Sequence, residues 1–415
     1  MKIIRNICRI LVGLLFIYSG FVKGVDPLGS NYKFIDYFNA FHMGWMDGTA
    51  LFFSFVLSLA EFMIGLCLFL NVKTKWAAWG ALLFMAVFTP LTLVLAISNP
   101  VTDCGCFGDA VVLTNWETFW KNVVLLALTL VIFFQKERYK SIFNVLEQSV
   151  LIAVSALFML GVEMHCYRHL PIIDFRPYAI GKNITEGMTI PEGAPHDEYE
   201  ITLQYRHKTT GEVKDFTEEN YPWQDTLNWE YVNSSEKLIK EGFKAPIHDF
   251  VMEHPEMGNI TEEVLEDQGY TFLAVSYNIN KANPVHQWKL NKLAAYAQEQ
   301  GIGFYGLTAS LTDDVQAYKE THAVTYDYCS TDEIQLKTIV RSNPGLVLLH
   351  AGTVINKWGY RDIPDVEEIR DKNLLAYSLS AHQAKSDDRL VYMLALLYAA
   401  CLGFYLAKKY KKSKN

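Results

Sequence analysis

Six apolar stretches of about 17–25 residues constrain this chain most, because that is the length a helix needs to cross about 30 Å of hydrocarbon. They fall at about 7–23, 50–70, 77–98, 117–135, 144–164 and 389–407. With 51% of its 415 residues hydrophobic, the chain is too apolar for an ordinary soluble enzyme. The pattern predicts a membrane α-helical bundle set in a lipid bilayer. The first stretch follows basic residues as a secretory signal would, yet no small-x-small cleavage site follows it, so it is expected to remain as a span.

Basic residues favour the cytoplasmic face and resist translocation. Lys2, Arg5 and Arg9 precede the first stretch, Lys73 and Lys75 follow the second, and Lys136, Arg138 and Lys140 follow the fourth. Lys408, Lys409, Lys411, Lys412 and Lys414 follow the sixth. Six crossings then put both termini in the cytoplasm and residues 166–388 on the other side. That outer segment holds 20 basic and 35 acidic residues, a net −15, which argues against a nucleic-acid partner.

The cysteines divide by depth. Cys8, Cys67 and Cys401 fall within apolar stretches and read as small core residues. Cys104, Cys106, Cys166 and Cys329 face the outer side, where an oxidising compartment can act on them. Cys104 and Cys106 lie where the third stretch ends, in Thr102-Asp103-Cys104-Gly105-Cys106-Phe107-Gly108-Asp109. A disulfide between cysteines two apart closes a small, easily reduced ring, which suits an exchange catalyst. The same pair could equally form structural disulfides or fill a turn made tight by Gly105 and Gly108. Asp103 and Asp109 are expected to disfavour a thiolate there, and His165 to favour one at Cys166. Cys166 follows the fifth stretch on the same face, so a bridge from it to the close pair is open.

Glu61 is costly in hydrocarbon and marks either a proton acceptor or, as the simpler reading, a partner for Lys23. Trp116, Trp120 and Tyr167 sit where amphipathic rings settle at an interface. Residues 30–48 alternate aromatic and polar groups at helical spacing. They predict a helix along the outer surface, as an interfacial anchor rather than a lid over the cysteines. His248, His286 and His322 lack metal-ligand spacing, so no metal is expected. Asn183, Asn233 and Asn259 begin triplets of a glycosylation pattern that chance often supplies.

The pattern Ser19-Gly20-Phe21-x-Lys23-x-x-Asp26-Pro27, then Glu61 and Gly65, then Cys104-Gly105-Cys106-Phe107-Gly108, Trp116 and Asn122, resembles the DoxX/MauE superfamily over roughly residues 1–140. The resemblance implies a four-helix membrane bundle, with two further transmembrane helices here. It also implies kinship with quinone-linked disulfide reductases of the bacterial envelope. On that basis Cys104 and Cys106, with Cys166, are the candidate catalytic residues. Glu61, Trp116 and Asn122 are the candidate contacts for a membrane quinone, and the outer segment would be periplasmic.

That outer segment opens with a proline-punctuated connector from Leu170 to Tyr178. Residues 166–245 comprise this connector and a small β-rich element; 246–388 follow a different rhythm. There, strands at 271–279 and 302–309 alternate with helices at 285–299 and 312–321, and strands at 346–350 and 354–358 close the run. This order, with Ala245-Pro246-x-x-Asp249-Phe250 and Asn343-Pro344, resembles the thioredoxin fold over about 246–365 and implies a cis proline. The fold's usual Cys-x-x-Cys is replaced by Asn-Lys-Ala-Asn-Pro-Val-His-Gln at 280–287. Cys329 follows another strand and reads as a buried or free thiol beside carboxylates more readily than as a redox centre.

Residues 1–140 are thus expected to form the four-helix membrane domain, 141–165 the fifth crossing, and 389–415 the sixth with a basic tail. Two functions compete: a thiol–disulfide redox protein whose degenerate thioredoxin-like domain recruits an envelope client, and a non-catalytic scaffold subunit of an envelope complex. A transporter fits less well, for want of inverted repeats or broken midplane helices.

Overall fold

The computed structural model describes residues 2–101, 103–191, 193–195, 198–217, 220–240 and 242–370, with Leu374, Ala399 and Gly403. The expected sixth crossing, Cys401 and the basic tail lie outside the described residues, apart from Ala399 and Gly403. The first 168 residues form α1 (Lys2–Val25), α2 (Pro27–Ala40), α3 (Ala50–Leu70), α4 (Thr74–Ser98), α5 (Asn115–Phe134) and α6 (Val145–Arg168). All but α2 are long and apolar enough to cross a membrane, α3 with its lead-in from Gly44.

Local chemistry sets where these helices begin. Asp26 ends α1 and caps α2, its carboxylate accepting the Gly29 N–H at 2.9 Å, while Pro27 occupies the first turn of α2. Reciprocal capping boxes open α5 at Thr114 and Glu117 and α6 at Asn144 and Glu147. Gly20 and Gly65 let α1 and α3 cross backbone to backbone. A Cβ on Gly65 would meet the Ile17 nitrogen at 2.5 Å, and one on Gly20 would meet the Ser58 carbonyl at 2.7 Å. An apolar core of Val12, Phe16, Leu68, Met85, Leu125 and Ile132 joins α1, α3, α4 and α5. Met159 of α6 packs against Phe62 and Leu66. Pro90 lies within α4 without ending it, as neighbouring spans allow.

The helix expected at 30–48 is broken: α2 stops at Ala40, His42 takes a left-handed φ of 58°, and a 3-10 turn from Gly44 leads into α3. The aromatic spacing continues through this corner, but the backbone does not.

Asn183–Phe250 is a compact unit of its own. After α7 (Ile184–Met188), strands β1 (Glu198–His207), β2 (Val213–Thr217) and β3 (Trp229–Lys240) form an antiparallel sheet in the order β2-β1-β3. Tyr205, Phe216, Trp229 and Tyr231 bring their rings together across it.

The remaining chain supplies β4 (Glu253–His254), β5 (Gly258–Asn259), α8 (Thr261–Glu266), β6 (Tyr270–Ser276), α9 (Gln287–Gln300), β7 (Gly303–Thr308), α10 (Thr312–His322), β8 (Tyr328–Ser330), α11 (Glu333–Ile339), β9 (Gly345–His350), β10 (Thr353–Gly359) and α12 (Val366–Arg370). The sheet runs β10-β9-β6-β7-β8-β4-β5. β6 and β7 pair in parallel, as do β7 and β8, whereas β9 is antiparallel to both β6 and β10. Phe272, Ala274, Leu290, Leu293, Leu346 and Leu348 build its core. The Asn343–Pro344 peptide preceding β9 is cis. The expected strands and helices appear within a few residues of their places. The additions are the strands β4, β5 and β8, which at two or three residues are too short to show an alternating pattern, and the short helices α8, α11 and α12.

Candidate functional site

The loop between α4 and α5 is tied down at each step. Asn99 ends α4 in the left-handed region, and the Asn115 amide donates to Asn99 Oδ1 and to the Val101 carbonyl, both at 2.8 Å. Gly105 and Gly108 have φ of 62° and 52°, the turn geometry that side chains resist. Asp103 accepts the Gly105 N–H at 2.9 Å and pairs with Lys33 of α2 at 2.7 Å. Tyr37 of α2 donates its hydroxyl to the Cys104 carbonyl at 2.6 Å. The helix expected to be an anchor therefore covers the cysteine loop.

Within this frame the Cys104 and Cys106 sulfurs lie 3.0 Å apart, against about 2.05 Å for a disulfide bond. They are adjacent thiols, able to bond after a small movement. The two thiols share a hydrogen bond that either sulfur can donate; this bond holds the Cys106 thiol below its ordinary range, burial opposes it, and Lys121 and Lys23 reinforce it. Cys104 is pushed up, first by its hydrogen bond with Cys106 and then by burial. The carboxylates expected to disfavour a thiolate are neutralised, Asp103 by Lys33 and Asp109 by Arg341, the latter at 2.8 Å.

Below the sulfurs lies a cavity of about 270 Å³ whose walls come from α1, α2, α3, α4 and α5. Phe16, Phe34, Phe84 and Phe88 make the walls apolar, and the polar groups gather where the thiols are. Lys23 and Glu61 meet there at 2.7 Å, both buried. Ser19, one turn before Lys23, lies 2.7 Å from the Glu61 carboxylate and 2.8 Å from the Cys106 carbonyl, with one proton to give to either. The Lys23 ammonium donates to the same hydroxyl at 2.8 Å.

Of the other residues singled out from sequence, Asn122 is buried, lines this cavity and donates to Thr92 at 3.2 Å. Trp116 stands 50% exposed, away from the cavity lining. Cys166 packs with Val25 and Val162 in a separate apolar cluster and does not line the cavity, so the structure does not bring it to the close pair. Cys329 is wholly buried on β8, its thiol pushed up to about 12 by burial and then by Asp327. Sequence reasoning missed Lys33, Tyr37 and Lys121. Lys121 carried a usable signal, a charge early in an apolar stretch; Lys33 and Tyr37 look like any polar face of an amphipathic helix.

Above the loop, Arg341 of the seven-stranded sheet domain is buried between Asp26 at 2.9 Å and Asp109 at 2.8 Å. Its guanidinium also lies over the Tyr32 ring of α2, 5.4 Å from the centroid. Tyr277, just past β6, meets Tyr32 edge-on.

Fold and site together define a multi-pass membrane protein that holds a thiol pair over an apolar cavity. Residues 1–135 match the family model of the methylamine utilisation protein MauE, and 199–241 match a domain of unknown function, DUF8463. The chain is 30% identical over 161 residues to the protein TlpB of Flavobacterium psychrophilum. The match covers 37% of this chain and 43% of that relative's length. No solved structure matches it.

Proposed function

We propose that this chain is a thiol–disulfide exchange protein of the bacterial envelope, working through Cys104 and Cys106 and linked to a membrane quinone. The observation that carries the reading is the pair of thiols 3.0 Å apart at the polar end of an apolar, membrane-embedded cavity. The MauE match over the first 135 residues supports it. Basic residues at the opposite loops favour a periplasmic placement of the cysteine loop and sheet domain.

A flat, uncharged ring with polar oxygens at its edge suits this cavity, whose walls are aromatic and whose polar groups sit at one end. Asn122, Glu61 and Lys23 would hold such a ring; Trp116 would not touch it. A quinone supplies a two-electron, two-proton acceptor. When the pair closes to a disulfide, its two sulfurs release those two electrons and two protons. Lys23, Ser19 and Glu61 form a hydrogen-bonded row beside Cys106 along which a proton can move between the thiol loop and the cavity. Exchange with a client protein then reopens the pair, reducing it while the client gains a disulfide. Client access requires α2 to shift, because Lys33 and Tyr37 hold that helix over the loop.

The seven-stranded domain is read as thioredoxin-like from its central strand order. The segment after β6 has no cysteine, so this domain serves as a docking surface for the client rather than as a second redox centre. Purified protein in lipid, given a reduced dithiol and a soluble quinone, is expected to consume both. Cys104→Ser and Cys106→Ser should each abolish turnover. Turnover that survives both changes would remove the enzyme reading and leave a scaffold.

A further inference from the structure

We propose that the cleft where α2 and the end of α6 meet the seven-stranded domain binds the headgroup of an anionic phospholipid that carries a hydroxyl, phosphatidylglycerol being the simplest case, with one acyl chain lying along α6. The cleft shares no lining residue with the thiol cavity, and the inference does not depend on the exchange reading.

The cleft has a volume of about 200 Å³, and the charged side chains that line it are Arg168, His169, Arg341 and Arg361, with no carboxylate among them. Two of these are committed elsewhere. Arg341 holds Asp26 and Asp109, and His169 Nδ1 lies 2.8 Å from Asp362. Arg168 and Arg361 are exposed, and among the described residues neither pairs with a carboxylate; the Arg361 guanidinium lies over the Tyr360 ring, 4.8 Å from its centroid. A basic lining with no acidic group selects an anion, and guanidinium forks suit the oxygens of a phosphate. Asn343 adds a second requirement. Its amide donates to the Asn278 carbonyl at 2.8 Å, while its Oδ1 is buried with no hydrogen-bond partner among the described residues. A buried acceptor calls for a donor, which a headgroup hydroxyl supplies and a choline does not.

Depth favours a lipid over a free anion. α1 ends at Val25 and α6 at Arg168, and Val25 packs with Val162 and Cys166, so the two spans finish at one level, where headgroups lie. Below the cleft, Leu157, Leu160 and Met164 stand exposed at three- and four-residue spacing, on the helix face that leads up to Arg168. Gly161 lies on the same face, and a Cβ there would meet nothing within 4 Å, which leaves a notch in it. From Leu157 to Arg168 the helix rises about 16 Å, close to the depth of about 15 Å that one leaflet contributes to the hydrocarbon core. A client peptide could use the cleft but would have no use for this apolar stripe.

The test uses the full-length protein in mild detergent, titrated with lipid and followed by native mass spectrometry and by unfolding temperature. Phosphatidylglycerol should bind saturably and raise the unfolding temperature, phosphatidylcholine should bind about tenfold more weakly, and inorganic phosphate should not stabilise the protein. Replacing both free guanidiniums, Arg168→Met with Arg361→Met, should weaken phosphatidylglycerol binding by about tenfold or more. Gly161→Phe fills the notch without meeting the rest of the protein, and should weaken lipid binding while the lipid-free unfolding temperature stays near that of the parent. Equal affinity of the parent for phosphatidylglycerol and phosphatidylcholine would overturn the proposal, a result that needs no variant to fold. So would parent-like binding in the double arginine variant. Stabilisation by inorganic phosphate equal to that by the lipid would make the cleft a site for a free anion, and saturable binding of a glutamate-rich peptide in place of phosphatidylglycerol would make it a client site; either result refutes the lipid assignment.

Discussion

Two segments of this chain occupy comparable strategic places and differ in what fills them. The loop between α4 and α5 carries two thiols among three lysines and is held from below by α1 and from the side by α2. The segment between β6 and α9 holds two 3-10 turns capped by Asn278 and Asn283 and no thiol. The sheet domain contributes an arginine to the first loop instead. The contrast teaches that the ionisation of a buried thiol is set by the groups beside it and not by its fold. Cys329 sits at the heart of the sheet domain and is inert by that criterion, whereas Cys106, also in a buried setting, has cations on two helices beside it.

The comparison breaks most sharply at the Lys23–Glu61 pair. Both groups are buried within the bundle, and removing one leaves the other charged with no partner in an apolar setting. Lys23→Met is expected to cost about 3–5 kcal/mol, as breaking buried pairs does, with a lowered unfolding temperature in detergent. The double change Lys23→Met with Glu61→Leu should recover much of that loss while still impairing turnover. If the single change is as stable as the parent, the pair is not the polar foundation of the thiol loop.

Much of this was legible in advance, for identifiable physical reasons. Five of the six apolar stretches appear as spanning helices because length and hydropathy alone decide that. The Lys23–Glu61 pairing was readable because two opposite charges in neighbouring spans have few other places to go. The mixed sheet followed from the alternation of periods after residue 246. What sequence could not give was the direction in which the loop faces. Asp103 and Asp109 look like liabilities for a thiolate until Lys33 and Arg341, distant in sequence by 70 and 232 residues, are seen to neutralise them. The covering role of α2 was hidden for the same reason: an amphipathic helix presents the same pattern to a membrane surface as to a loop. Trp116 carried the resemblance to the family yet stands apart from the cavity, since a motif records neighbours in sequence and not which way a ring points.

An intermediate effect is expected at Arg341, where the sheet domain meets the thiol loop. Its guanidinium is buried, but Asp109 and Asp26 retain some access to solvent, which can take over when the partner is lost. Arg341→Met should therefore cost at most about 1.5–3 kcal/mol, the range for hydrogen bonds to charged groups. Protection of the 103–109 loop backbone from hydrogen exchange should fall with it. Unchanged protection would mean that the loop is held from the bundle side alone, through Ser19, Lys33 and Tyr37.

The smallest effect is expected at Cys329, and it sharpens the comparison most economically. Replacing this wholly buried thiol by alanine removes one sulfur from a packed strand, a loss of about 1 kcal/mol, and should leave dithiol turnover untouched. In the folded parent at pH 8, Cys329 should resist iodoacetamide while Cys106 reacts. Its thiol is pushed up to about 12, so almost none is ionised at that pH, and the strand gives the reagent no path. Only on unfolding should it label, together with the bundle cysteines. Equal labelling of Cys329 and Cys106 in the native state would show that charge does not separate the two regions, and the contrast drawn between them would fail.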